Sequence, residues 1–279
     1  MKKKNKNEYI TGYISLSLFF FFLLIPIFWI IFSSFKEPQF VISRNLWPGW
    51  KGFTYLNYIK TLSQEDFQLC TMNSIRISIG TALLTLLISS LASYSSSRFR
   101  FRFGAPILIP LLSQMLPPVL FLIPFFLLMV RLKLLDSTFG LILTHTLLAL
   151  PFSIWMLKGY FDSIPKDLDE MGMIDGCNRL GVLFRIVFPL SAPGLAVVAF
   201  FSFITSWGDY MFVSVLSQSK ATTTLTILLQ SFISGGAGRR IQWEILSSAT
   251  VLVLLPTVVL FALLQRWFIS GLTSGAVKE

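Results

Sequence analysis

Cysteine, histidine and charge are all scarce in this chain of 279 residues. Two cysteines, Cys70 and Cys177, stand far apart with no C-x-x-C spacing, which excludes a disulfide framework and a zinc site and leaves two unpaired small hydrophobes. A single histidine, His145, excludes H-E-x-x-H metal chemistry. Neither a G-x-x-x-x-G-K-[ST] phosphate loop nor a G-x-S-x-G nucleophile turn occurs, so the chain is expected neither to hydrolyse ATP itself nor to hold a cofactor. Charged residues make up 13% against 54% hydrophobic, with a mean hydropathy of +0.72. That is too little polarity to clothe a soluble domain. The net charge of +10 is spread among the loops rather than gathered on one face, the mark of membrane orientation and not of a nucleic-acid partner.

Long apolar runs are what the sequence has in quantity. Lys2, Lys3, Lys4 and Lys6 precede a run over residues 14–32 that is longer than the core of a secretion signal and has no A-x-A-like site after it; it reads as a retained first span. Residues 36–70 turn mixed and aromatic, with Trp47, Trp50, Phe53, Tyr55 and Tyr58, as an extracytoplasmic loop at the interface would be. Runs over residues 71–94, 105–130, 139–157, 191–215 and 245–268 predict five further spans. Pro106, Pro110, Pro117, Pro118 and Pro124 predict that the third is broken into half-helices beside protein or a wet cavity. Arg98, Arg100 and Arg102 place the loop after the second span in the cytoplasm, and both termini with it. The expected organisation is a cytoplasmic N-terminus (1–13), a first transmembrane helix (14–35), an extracytoplasmic loop (36–70), a transmembrane body (71–272) and a cytoplasmic tail (273–279), in contact with lipid throughout.

Between the fourth and fifth spans lies the longest charge-bearing run, within residues 158–190. Ser163 and Pro165 supply a helix start, and Asp167, Asp169 and Glu170 complement the positive end of its dipole. Leu168, Met171 and Ile174 form one apolar stripe, and Asp175-Gly176 breaks the helix where glycine alone turns left-handed without a clash. Leu180, Leu183 and Phe184 then repeat the helical spacing, with Arg179 and Arg185 on other faces, until Pro189. The result is a helix–turn–helix presented outside the bilayer.

Polar residues inside the apolar runs are the other candidates, because charge in hydrocarbon is costly. Asp209 falls within the fifth run after Ser202, Thr205 and Ser206, giving a polar stripe that lines a substrate pathway or packs helices through small hydroxyls. Gln114, beside the proline pair, joins the pathway set, and Asn73 is a similar case. His145 has no carboxylate near it in sequence and reads as a hydrogen-bonded packing residue; Arg76 is expected to snorkel outward. The glycine-rich basic run at 235–240 reads as a flexible outer loop rather than an anion site.

Glu170, Gly176, Ile186 and Pro189 match the pattern E-A-A-x3-G-x9-I-x-L-P, with Met171 and Gly172 in place of the two alanines and Phe188 in place of leucine. The loop therefore resembles that of bacterial ABC importer permeases. The segments LPFSIWMLKGYFDSIPKDLDE, SFITSWGDYMF, TYLNYIKTL, MNSIRIS and GLTSGAVKE resemble the maltose-type carbohydrate permeases, so that the likeness covers most of the chain. It implies an all-α polytopic permease of the type I importer fold, with six transmembrane helices, in a bacterial cytoplasmic membrane. It implies import of a sugar, oligosaccharide or polyol by alternating access. Glu170, Met171, Gly172, Asp175, Gly176, Ile186 and Pro189 would form the coupling loop, seated in an ATPase groove. The partners implied are a second permease forming a heterodimer, two ATPase subunits that use the ATP, and an extracytoplasmic solute-binding protein. Two alternatives stay open. One is an importer of the same build for a phosphate ester or amino acid; the other is a membrane-embedded enzyme, which needs a converging acid/base pair.

Overall fold

The computed structural model describes residues 6–43, 47–99, 114–234 and 241–276. In chain order its helices are α1 (Lys6–Ser34), α2 (Pro38–Val41), α3 (Leu56–Leu62), α4 (Glu65–Arg98), α5 (Leu122–Arg131), α6 (Thr138–Asp162), α7 (Asp167–Ile174), α8 (Arg179–Leu190), α9 (Ala192–Trp207), α10 (Met211–Leu216), α11 (Leu225–Ser234) and α12 (Trp243–Ala276). Among the described residues the only β-type pairing is a lone antiparallel bridge between Lys36 and Phe53. Four of these helices contain stretches long and apolar enough to cross a membrane: Ile10–Ser34, Glu65–Arg98, Thr138–Asp162 and Trp243–Trp267. The pair α8 and α9, bent by 87°, makes a fifth if counted as one span. The N-terminal half of the predicted third span lies outside the described residues; its described end is a 3-10 turn at Pro118–Phe121 running into α5.

The chain divides into two units. In the first, formed by residues 1–65 and 229–255, α1 is apolar on every side and its side chains are exposed almost throughout, as in a helix whose solvent is lipid. The aromatic stretch after it folds back on its end. Asn57 donates from Nδ2 to the Ser34 and Lys36 carbonyls, both at 2.9 Å, and Trp47 packs edge-on against Phe53 and stacks with Phe32. Lys36 is buried with its ammonium 4.8 Å from the Trp29 ring and 4.6 Å from that of Phe32, and burial draws its pKa below the usual lysine value.

The second unit comprises residues 66–228 and 256–279. Along α4 most of the buried positions carry hydroxyls, Ser78, Thr81, Thr85, Ser89 and Ser93 among them. Small residues let backbones approach, and at Gly80 a Cβ would stand 2.5 Å from Ile142 of α6. Apolar packing gathers into two clusters. One joins Tyr94, Leu157, Phe161, Val182, Leu183 and Val198 around the ends of α4, α6 and α8; the other joins Ile77, Met129, Leu141, Phe212 and Val213.

The predicted fifth span, residues 191–215, is corrected here. Helix α9 stops at Trp207, and Gly208, Asp209 and Tyr210 interrupt it before α10 begins. Asp209 is the reason: its Oδ2 accepts from the N–H groups of Phe212 at 3.0 Å and Val213 at 3.1 Å, starting a new helix where the old one would have run on.

Candidate functional site

Two places in the second unit bring chemistry-bearing residues together. The first is the helix–turn–helix. Helix α7 begins at Asp167, two residues after the predicted proline start, and Gly176 ends it with φ +87°, the left-handed value that favours glycine. The Cys177 N–H bonds back to the Gly172 carbonyl at 3.0 Å and the Gly176 N–H to that of Met173 at 3.1 Å, satisfying the free carbonyls of the helix end. Asn178 then caps α8, accepting from the Gly181 N–H at 2.7 Å.

The apolar stripe predicted from Leu168, Met171 and Ile174 splits. Leu168 packs against the core cluster, while Met171 and Ile174 stand 60% and 85% exposed. What α7 buries is the pair Asp169 and Gly172. Gly172 lies so close to α8 that a Cβ there would meet Ile186 Cδ1 at 2.5 Å. Glu170, Asp175, Gly176 and Pro189 are exposed, and Ile186 is half-buried beneath Gly172. Around residues 170–176 the surface thus consists of Glu170, Met171, Ile174 and Asp175 on a glycine turn, held from below by close backbone packing.

Asp169 itself was legible only as a dipole partner. It accepts from Arg98 Nε and from the Tyr94 hydroxyl, both at 2.8 Å, in a site where the two charged side chains are 5% and 9% exposed.

The second place is a cavity of about 440 Å³. Phe121, Phe125 and Phe212 line it with Leu148 and Pro151, and its polar groups are Gln114, Thr205 and Asp209. Gln114 donates from Nε2 to the Leu148 carbonyl at 3.3 Å, which leaves its own carbonyl oxygen as an acceptor. Of the predicted pathway residues the cavity therefore collects three. Ser202 and Ser206 do not border it; both are buried within the packing of α9.

His145 keeps the hydrogen-bonded packing role read from the sequence, with partners the sequence does not show. It is fully buried on α6, with Nε2 3.1 Å from Asp209 Oδ2 and Nδ1 3.2 Å from the Ser206 hydroxyl. The carboxylate that the sequence does not show beside it arrives from 64 residues away. With the carboxylate accepting, Nε2 carries a hydrogen. The same Oδ2 also caps α10 and the imidazole is fully buried, so the pair ties α6 to α9 and the start of α10. Asn73 likewise holds the fold together, donating to the Lys220 and Thr223 carbonyls at 3.2 and 3.0 Å.

The chain is 34% identical over 257 residues to a sulfoquinovosyl glycerol transport system permease of Agrobacterium fabrum, covering 91% of this chain and 89% of that one. It is 33% identical over 271 residues to a maltodextrin transport system permease of Bacillus subtilis, covering 96% of both. Among solved structures it resembles a chain of a bacterial ABC transporter involved in import of the acidic polysaccharide alginate, with a TM-score of 0.81 over 96% of this chain and all of that one, at 22% identity, so that the fold is shared. Residues 84–274 match the binding-protein-dependent transport system inner membrane component, and with two thirds of its length in that match the chain belongs to this family of ABC importer permeases.

Proposed function

We propose that this chain is one of two permease halves of an importer that carries a carbohydrate across the cytoplasmic membrane. The observation that carries the proposal is the exposed turn at 170–176, where Met171 and Ile174 face outward from a helix fixed from below by Gly172 and Asp169. An exposed apolar pair flanked by the carboxylates of Glu170 and Asp175 on so short a helix is the form of a docking element for a groove on a partner. The partner is an ATPase pair, since this chain is read as having no phosphate loop of its own. A second, different permease completes the pathway, and an extracytoplasmic binding protein delivers the solute.

Closure of the ATPases drags α7, and the packed helices above it pass between two settings around the solute. The sugar reading draws support from relatives named for sugar transport and from the cavity's own chemistry. Phenylalanine rings suit the C–H faces of a sugar, while Asp209, Gln114 and Thr205 can exchange hydrogen bonds with its hydroxyls. Orientation follows the positive-inside reading, with both termini and α7 in the cytoplasm.

The test is uptake by the purified complex in proteoliposomes, with a labelled neutral oligosaccharide delivered by its binding protein. Asp209→Ala and Gln114→Leu are expected to lower uptake or shift selectivity among oligosaccharides while the ATPase subunits stay attached. Unchanged uptake in both variants would return these residues to helix packing. Uptake of an amino acid or phosphate ester, with no sugar taken up, would overturn the carbohydrate reading.

A further inference from the structure

We infer that Arg98, with Tyr94, is a positioning residue of the coupling element, tying α7 to the ends of α4 and α6 through one buried three-way joint. This inference rests on the reading of α7 as the ATPase contact.

Arg98 is the last residue of α4. From there its guanidinium reaches three ways: Nε donates to Asp169 Oδ2 of α7 at 2.8 Å, Nη1 to the Phe161 carbonyl of α6 at 3.0 Å, and Nη1 also to the Ser97 hydroxyl at 3.2 Å. Tyr94, one turn earlier on α4, donates its hydroxyl to the same Asp169 oxygen at 2.8 Å. The joint is almost dry, with Arg98 and Asp169 side chains 5% and 9% exposed and the ring of Phe161 packed edge-on against Tyr94. Arg179 of α8 adds a further link, its guanidinium 4.7 Å from the ring of Phe99 just beyond the end of α4.

The chemistry suits transmission better than adhesion. Apolar side chains let helices slide over one another, whereas a charge-assisted hydrogen bond in a low-dielectric site fixes both distance and direction. The guanidinium donates along fixed in-plane directions, so its Nε bond sets where Asp169, and with it α7, sits relative to α4. Asp169 immediately precedes Glu170, and its neighbour along the buried face is Gly172. A displacement imposed on the exposed face of α7 therefore reaches α4 and α6 through this carboxylate, beside the apolar packing of Leu168. The fork is half engaged: among the described residues Arg98 Nη2 and Asp169 Oδ1 take no hydrogen-bond partner. On the geometry of guanidinium, Nε and Nη2 are the side that accepts a carboxylate through two parallel bonds. Rotation of the carboxylate closes that second bond without releasing the first, which lets the joint pivot and stay connected.

The test compares Arg98→Lys, Asp169→Asn and Tyr94→Phe with the wild-type chain in the full complex with its sister permease and ATPases, reconstituted in proteoliposomes. Solute moved per ATP hydrolysed is the readout, because a purely structural role would lower the amount of complex and leave that ratio alone. Asp169→Asn is expected to keep the ATPases bound and to lower the ratio by about tenfold, within the span usual for coupling between sites. Arg98→Lys keeps the charge and loses the fork, and should fall in the same direction. Tyr94→Phe removes one hydroxyl and no charge, so it covers the case in which the charge variants fail to insert, with a smaller fall of about two- to threefold on the same scale. A wild-type ratio in both Arg98→Lys and Tyr94→Phe overturns the inference, while Gly176→Val uncoupled alongside them leaves the reading of α7 intact. ATPases that never bind the wild-type chain bring down both.

Discussion

At the scale of single residues, glycine and aspartate carry more of the design than the abundant phenylalanines. Asp136 stands in the turn between α5 and α6 with φ +53°, and its Oδ1 accepts from the Gln218 N–H at 2.9 Å, the Ser219 N–H at 3.1 Å and the Thr222 hydroxyl. Burial alone would raise its pKa, but these donors outweigh it and hold the value at about 2, below the ordinary 3.8. A carboxylate with a depressed folded-state pKa stabilises above its unfolded pKa and loses that contribution as pH falls through the folded one. Asp136→Asn should therefore unfold at a lower temperature than wild type at neutral pH, with the gap closing between about pH 4 and pH 2; a gap independent of pH would show that the charge is not what holds the loop. Residue-scale chemistry was only partly legible. Gly176 announced its positive φ because an apolar helical spacing ran directly into it. The partners of His145 and Arg98 did not, since they lie 64 and 71 positions away and no periodicity records a contact made by tertiary packing.

Two glycines only four residues apart separate the demands made on the coupling element. Gly172 has ordinary helical geometry and no room, while Gly176 has room and a positive φ. In Gly172→Ala the added methyl presses on Ile186, and overpacking of this kind costs about 1–3 kcal/mol; in Gly176→Ala the strain is conformational, about 1–2 kcal/mol. Thermal unfolding of the purified chain should show both losses. Repacking distinguishes them, because Ile186→Val shortens the side chain that the Gly172→Ala methyl meets and should recover stability there and not in Gly176→Ala. Equal recovery in both would mean that the close approach to α8 is not what sets the requirement at Gly172. The helix–turn–helix was legible through its caps and spacing, and Leu168, Met171 and Ile174 as one apolar stripe, of which Leu168 alone packs on the core cluster while Met171 and Ile174 are exposed. Periodicity identifies a stripe but not its occupant, and here the occupant proposed is another protein. The break at Gly208 was missed for a related reason: hydropathy runs straight through it, and only the capping bonds of Asp209 reveal the stop.

The all-α membrane character was legible from the 54% hydrophobic content together with the length of the continuous apolar runs, which suit spanning helices and not the short alternating strands of a barrel. Orientation rests on the positive-inside reading and is open to direct test. Cys70 is 3% exposed, so the neighbouring Leu69, 40% exposed, is the better reporter. In a Cys70→Ser background, Leu69→Cys should react with an impermeant maleimide in intact spheroplasts, and Cys177 only after permeabilisation; the opposite pattern would invert the molecule. The central claim is that the turn at 170–176 transmits ATP hydrolysis to the spans, and the most direct measurement is solute imported per ATP hydrolysed by the reconstituted complex carrying Gly176→Val or Glu170→Lys. The account predicts a chain that still inserts and pairs with its sister permease but loses its ATPases, or keeps them and hydrolyses ATP without import. Wild-type import per ATP in both variants would contradict it.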